Sequence, residues 1–202
     1  MPDAAGSRSG PDSERPVRIG VLALQGGFAA HLRHLGSVGS PGVEIRTARD
    51  LEGLDGVILP GGESTTIGMG LERNDLVAGL RGLVEEGTPV LGTCAGMILA
   101  GSDQLDLIDI DVKRNAFGRQ LASFETDLAM PGLTGPAPFR AIFIRAPWIE
   151  RVGEDVEVIA EFEGHPVAAR SGPVTVLSFH PELSTDDRVH MWFVEACRQA
   201  RS

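Results

Sequence analysis

Only two cysteines, Cys94 and Cys197, occur in 202 residues, too few for a disulfide scaffold. Each is either a core residue or a chemical one. No apolar run approaches the ~18–20 uninterrupted residues of a membrane-spanning helix. Basic residues are scarce, with 18 Lys and Arg against 28 Asp and Glu and a net charge of −10. This balance argues against nucleic acid, whose phosphates are bound by clustered Lys and Arg, and against an anionic membrane surface. It fits small-molecule chemistry in the cytoplasm. There is no Cys-x-x-Cys and no His-x-x-x-His, so no metal site is expected, and no cofactor. A Gly-x-x-x-x-Gly-Lys phosphate loop is also missing.

What remains is an ordinary globular balance, 42% apolar and 23% charged, in a length suited to one domain. Residues 1–16, MPDAAGSRSGPDSERP, are rich in Gly, Ser, Pro and charge and lack the apolar stretch of a secretory signal. They are expected to be a disordered extension, with the folded domain spanning 17–202.

Val17–Leu24 is a nearly continuous apolar run, the pattern of a strand buried on both faces. Gln25-Gly26-Gly27 breaks it, and Phe28–Leu35 has helical spacing. Val43–Ala48 and Gly56–Leu59 are further strands. Leu71–Glu86 is expected to be one helix, with Leu76, Leu80, Leu83 and Val84 on one side. Pro89–Thr93 is a strand and Ala95–Ala100 a helix. Such alternation predicts a parallel sheet covered on both faces. Leu107–Val112, Phe124–Met130, Phe139–Ile144, Val156–Phe162 and Pro166–Arg170 predict an antiparallel or mixed region. Val174–Phe179 returns to a buried strand, and Asp187–Arg201 closes as a helix.

Gly92-Thr93-Cys94-Ala95-Gly96 joins an apolar strand to an apolar helix. This is the cysteine form of a nucleophile elbow, whose tight turn exposes the reactive atom. Glycines flank the sulfur because a Cβ would clash in the turn. The helix start favours a thiolate and offers an N–H to an oxyanion. Cys197, on the apolar face of the last helix with no glycine near, reads as core.

A thiolate attacking an amide needs an imidazole as base and then acid. His31, His34 and His190 have ordinary helical spacing and are expected to be solvated. His165 precedes a proline in a hairpin. His180 ends a buried strand, as Cys94 does, and sites in open parallel sheets form at carboxyl strand ends. Pro181 pushes His180 toward extended backbone. Continued strand geometry would point His180 and Glu182 the same way, giving a carboxylate orienter. Pro60-Gly61-Gly62-Glu63-Ser64 ends a third strand and can turn N–H groups toward a ligand, with Ser64, Thr65 or Thr66 capping the next helix.

Gly-Thr-Cys-Ala-Gly followed far downstream by His-Pro-Glu resembles a class I, triad-type glutamine amidotransferase. VLALQG, LPGGESTT, RNAFGRQ with SFE, FIRAP and SFHPEL narrow the resemblance to the glutaminase subunits of pyridoxal 5′-phosphate synthase, the PdxT family. It runs from about Val17 to Ala200. The resemblance implies a flavodoxin-like three-layer α/β fold, with a mainly parallel central sheet and an antiparallel or mixed extension. It implies a Cys94–His180–Glu182 triad, and glutamine held by Gly61, Gly62, Glu63, Arg114, Ile144 and Arg145. It also implies a partner, a (β/α)8-barrel synthase subunit assembled in rings, which uses the ammonia to build vitamin B6. The segment GSDQLDLIDIDV is several residues shorter than the family's usual stretch. The rival readings are a DJ-1/PfpI-type cysteine hydrolase and a non-catalytic regulatory subunit of the same fold.

Overall fold

The computed structural model describes residues 15–118, 123–135 and 138–201. Of the expected N-terminal extension, residues 1–14 lie outside the described residues. Arg15 and Pro16 are described, and Arg15 makes a two-pronged ion pair with Asp55, both contacts at 2.7 Å.

The first half alternates as its sequence pattern predicts. Strand β1 is Ile19–Leu22, helix α1 Phe28–Ser37, β2 Val43–Ile45 and β3 Gly56–Leu59. Helix α2 is Ser64–Arg73, α3 Leu76–Glu85, β4 Val90–Thr93 and α4 Ala95–Ala100. Then come β5 Ile110–Lys113, β6 Ser123–Leu128, β7 Phe139–Ile144, β8 Trp148–Val152, β9 Glu157–Phe162, β10 His165–Ser171 and β11 Val174–Leu177. Helix α5, Arg188–Ala200, follows.

Two differences from the sequence pattern stand out. Leu71–Glu86 is not one helix: α2 stops at Arg73 and α3 starts at Leu76, with Asp75 between them in the left-handed region at φ 54°. Asn74 turns its side-chain amide onto the Gly70 carbonyl at 2.7 Å, so short polar side chains compete with the helix backbone there. Strand β8 was not expected, because Glu150 and Arg151 interrupt its apolar pattern. It pairs antiparallel with β5, and Arg151 reaches Asp111 on that strand at 2.7 Å.

The main sheet has seven strands in the order β2-β1-β3-β4-β11-β10-β9. The first five run parallel, while β10 and β9 add on antiparallel. The pairs β5–β8 and β6–β7 form separate antiparallel ribbons. Side chains alternate across the sheet, as the strand pleat requires. Ile19, Val21, Ile58, Leu91 and Leu177 join the core under α1 and α5, with Leu35, Phe193 and Cys197. Leu22, Val57, Leu59, Val90 and Val176 join the core under α2, α3 and α4, with Ile67, Leu80 and Met97. Each fully buried large aliphatic contributes roughly 1.5–3 kcal/mol. The result is the expected three-layer α/β architecture. No described helix is long and apolar enough to cross a membrane.

Parallel pairing puts the carboxyl ends of β1, β3, β4 and β11 on one edge. Leu59 pairs with Gly92, and Thr93 with Leu177. Neighbouring strands lie ~4.8 Å apart, so the residues that follow these ends become neighbours in space.

Candidate active site

Cys94 follows the last residue of β4 and precedes the first of α4. Its backbone, at φ 49° and ψ −103°, lies where L residues are rarely found. Such strain costs on the order of 1–3 kcal/mol and persists only where the surroundings impose it. Here they do. Cys94 N–H donates to the Leu177 carbonyl of β11 at 2.8 Å. A Cβ on Gly96 would lie 1.9 Å from the Leu59 carbonyl oxygen, and one on Gly92 would lie 2.7 Å from that of Gly96. Both elbow glycines are thus required by space. The sulfur lies 3.9 Å from the Ile144 carbonyl, and Cys94 is only 8% exposed.

His180 follows β11, and its N–H is held by the Ile142 carbonyl of β7 at 2.8 Å. The extended strand geometry expected through Glu182 does not continue. Pro181–Leu183 is a 3-10 turn, entered from His180 at φ −105° and ψ 87°. Proline at the first position suits that turn because it has no N–H to leave unpaired. The turn brings Glu182 Oε1 to 2.7 Å from His180 Nδ1, so the orienting contact forms by another route. Burial disfavours charge on the His180 ring. Hydrogen bonds with Cys94 and Glu182, and their charges, outweigh that and raise its pKa to about 10. Glu182 is 5% exposed. Burial pushes its carboxyl up, but the His180 hydrogen bond and the neighbouring imidazoles hold it below the usual range. A protonated imidazole flanked by the Cys94 sulfur and a carboxylate can deliver a proton to a leaving group.

Gly61 packs directly against this pair. A Cβ there would lie 2.5 Å from His180 Cε1 and 3.4 Å from the Cys94 Cβ. The loop after β1 interlocks with it: Gly27 N–H donates to the Gly61 carbonyl at 2.9 Å, and a Cβ on Gly26 would meet that oxygen at 1.9 Å. Gln25 accepts the Glu63 N–H through its side-chain oxygen at 2.7 Å. The sequence pattern left the Gln25 side chain without a role.

Glu63, not Ser64, Thr65 or Thr66, caps α2. Its carboxylate accepts from Thr65 N–H at 3.2 Å and from Thr66 N–H and Oγ1 at 2.7 Å. These bonds, led by the Thr66 hydroxyl, lower its pKa to about 2. Arg114 reaches the same turn, 3.3 Å from Thr65 Oγ1. Arg145 is exposed next to Ile144 and sits at φ 44°, a left-handed backbone that turns the chain beside the sulfur. All the sequence-derived candidates therefore gather at one sheet edge.

The expectation for the helical histidines is overturned. His31 and His190 are both 0% exposed, and His34 is largely covered. Helices α1 and α5 pack on the same sheet face, and the histidines sit between them behind Glu182. Burial lowers the pKa of His31 to about 4 and, with neighbouring imidazoles, that of His190 to about 2. The signal for His31 was its place in the first turn of a helix that starts right after a strand-end loop. Cys197 is buried, as expected, and burial pushes its thiol up to about 12. Among the described residues, no group of three or more His, Cys, Asp or Glu is placed to hold a metal.

Comparison with known proteins agrees with this architecture. The model of the SNO glutamine amidotransferase family matches residues 21–199. The pyridoxal 5′-phosphate synthase subunit PdxT of Parafrankia sp. (strain EAN1pec) is 53% identical over 190 residues, covering 90% of this chain and 93% of that one. The PdxT subunit of Frankia alni is 49% identical over 194 residues, covering 92% and 97%. A crystal structure of a glutamine amidotransferase superposes with a TM-score of 0.83 at 44% identity, over 89% of this chain and 98% of that one. With a single family model spanning nearly all of the described fold, this chain belongs to the SNO glutamine amidotransferase family.

Proposed function

We propose that this chain hydrolyses L-glutamine to glutamate and ammonia through Cys94, His180 and Glu182. The ammonia passes to a synthase subunit for pyridoxal 5′-phosphate synthesis. The relatives named above are subunits of that synthase. The observation that carries the reading is the strained elbow cysteine beside an imidazole held at 2.7 Å by a buried carboxylate, with Gly61 packed against both.

The Cys94 thiolate attacks the side-chain amide carbon, forming a C–S bond and a tetrahedral oxyanion. The Ala95 N–H, first in its helix and without an intrahelical acceptor, and the amides of the Gly61-Gly62 loop stabilise that oxyanion. The imidazolium of His180 gives its proton to the amine as the C–N bond breaks, releasing ammonia. Neutral His180 then takes a proton from water as the water attacks the thioester. The C–S bond breaks, leaving glutamate, the thiolate and the imidazolium. Glu182 holds the ring orientation throughout.

Gly61, Gly62, Glu63, Arg114, Ile144 and Arg145 bind the glutamine. The Glu63 carboxylate is committed to capping α2, so its part is to set the loop. The partner is a (β/α)8-barrel synthase subunit in a ring-shaped hetero-oligomer, and the complex works in the cytoplasm. Residues 17–202 act as one amidotransferase domain and 1–16 as an extension outside it.

The test is glutamate release from glutamine, with and without the synthase subunit, for the native chain and Cys94→Ala. Release that rises with the synthase subunit and vanishes in Cys94→Ala is expected. Release that persists in Cys94→Ala, or none from the complex, overturns the reading.

A further inference from the structure

Behind Glu182 lies a chain of buried imidazoles that the proposed reaction does not use. His31, in the first turn of α1, places Nε2 3.4 Å from Glu182 Oε2 and 3.2 Å from Thr93 Oγ1. Its Nδ1 lies 3.0 Å from His190 Nε2. The His34 ring stacks on His190 with centroids 4.5 Å apart, and His34 Nε2 lies 3.1 Å from the Glu182 carbonyl oxygen. His34 Nδ1 is held by Asp187, just before α5. Among the described residues, these groups and His180 are the titratable side chains around His31.

The polar atoms left over decide the proton positions. His190 Nδ1 is buried with no hydrogen-bond partner among the described residues. An unpaired buried N–H donor is a cost that native structures rarely carry, so Nδ1 is the bare nitrogen and His190 carries its proton on Nε2. That N–H donates to His31 Nδ1. Neutral His31 then carries its proton on Nε2, facing Glu182 Oε2 and Thr93. The opposite tautomer would strand a donor at His190 and aim a lone pair at a carboxylate. Glu182 Oε2 is buried with no hydrogen-bond partner among the described residues, and His31 Nε2 lies 3.4 Å from it.

We propose that His31, with its tautomer set by His190, is a positioning residue that donates from Nε2 to the second oxygen of Glu182 and fixes the carboxylate against His180. One oxygen of Glu182 then serves His180 and the other His31, so the carboxylate cannot rotate about its own axis without losing a bond. Burial keeps His31 neutral, with its pKa down at about 4, so it supplies a donor without a competing full charge. The inference rests on the glutaminase reading for its rate measurements but not for its thiol chemistry.

The test compares His31→Gln with His31→Leu, in complex with the synthase subunit. A glutamine amide nitrogen reaches the Nε2 position and keeps the donor, while leucine fills the space without one. Losing a hydrogen bond to a charged group corresponds to about 10–100-fold. His31→Leu is expected to lower kcat by about 10-fold or more with KM within about twofold, on that scale. It also moves the acidic limb of kcat/KM to higher pH, because Glu182 then protonates more readily. His31→Gln retains kcat within about threefold, and its acidic limb stays in place.

Melting temperature does not separate a positioning role from a structural one, because leucine strands the His190 Nε2–H and the Thr93 and Glu182 oxygens, and His31→Leu is expected to melt below His31→Gln. A fall in kcat for His31→Leu with the acidic limb unmoved overturns the proposal, as does a His31→Leu enzyme with native kcat and pH profile. The rate of Cys94 alkylation by iodoacetamide, followed against pH on the same variants, reads the same pair without glutamine. Native complex that releases no glutamate defeats the glutaminase reading, and the alkylation profiles then still decide the role of His31. If neither His31 variant folds, His190→Phe removes the tautomer-setting donor alone. A shift of its alkylation profile in the same direction supports the proposal, and an unchanged profile overturns it.

Discussion

Gly61→Ala is the sharpest steric probe of the site. Gly61 has no left-handed backbone requirement, so alanine can adopt its conformation, and the whole effect comes from one methyl group. That methyl would sit 2.5 Å from His180 Cε1 and 2.9 Å from Nδ1, while ordinary contact begins at 3.4 Å. The ring must move by nearly an ångström. The methyl would also sit 3.4 Å from the Cys94 Cβ, wedged between the two side chains. A ring shift of that size disturbs its 2.7 Å bond to Glu182 and its aim at the sulfur. A misplacement of about 1 Å costs on the order of 100-fold in rate, and overpacking costs about 1–3 kcal/mol of stability. The assay is glutamate release by the complex at saturating glutamine, at a temperature well below the variant's melting point, with Cys94 alkylation at neutral pH alongside. Both rates are expected to fall together. A folded Gly61→Ala enzyme with native kcat and native alkylation would refute the placement of His180 against this loop.

Three further outcomes follow from the same structure. Stability should peak near neutral pH. His31 and His190, with pKa values lowered to about 4 and about 2, stay neutral in the fold while the unfolded chain gains their protons below about pH 6.5, so stability falls on acidification by about 1.4 kcal/mol per pH unit for each. His180 has the opposite sign: its raised pKa, about 10, gives stability that is present below about 6.5 and lost as pH rises toward 10. Urea unfolding between pH 5 and pH 9 checks both limbs, and a flat profile would contradict the buried neutral histidines. Iodoacetamide at neutral pH should add one label per native chain, on Cys94, and a second on Cys197 only after unfolding, as intact mass will show. Gly82→Ala, in α3 with open space around the new methyl, should stabilise the fold by about 1 kcal/mol and raise Tm by about 2–4 °C, measured by calorimetry.

Strands were legible where the pattern was strongest. β1, β3, β4 and β11 are runs buried on both faces, and apolar sequence alone marks such strands. The elbow was legible because its glycines are demanded by contacts a few residues away in chain, or one strand over. The break between α2 and α3 was hidden because leucines keep helical spacing across it, while the polar pair Asn74-Asp75 acts on the backbone rather than on the pattern. β8 was hidden because its charged residues face a partner strand and its pairing is set from outside. The His180–Glu182 contact was anticipated from strand geometry, yet a 3-10 turn makes it.

The order of residues alone settles which atoms are available: one cysteine between glycines, one histidine ending an apolar strand, a carboxylate two positions on. It settles too that these follow buried strands, because burial on both faces leaves its mark in composition. It does not settle which helix faces close over them. His31, His34 and His190 have the spacing of solvated side chains and are enclosed only because α1 and α5 pack together on one sheet face. Whether a polar side chain meets water or a carboxylate depends on the neighbour that folding brings, and that neighbour can lie 151 positions away, as Glu182 does from His31.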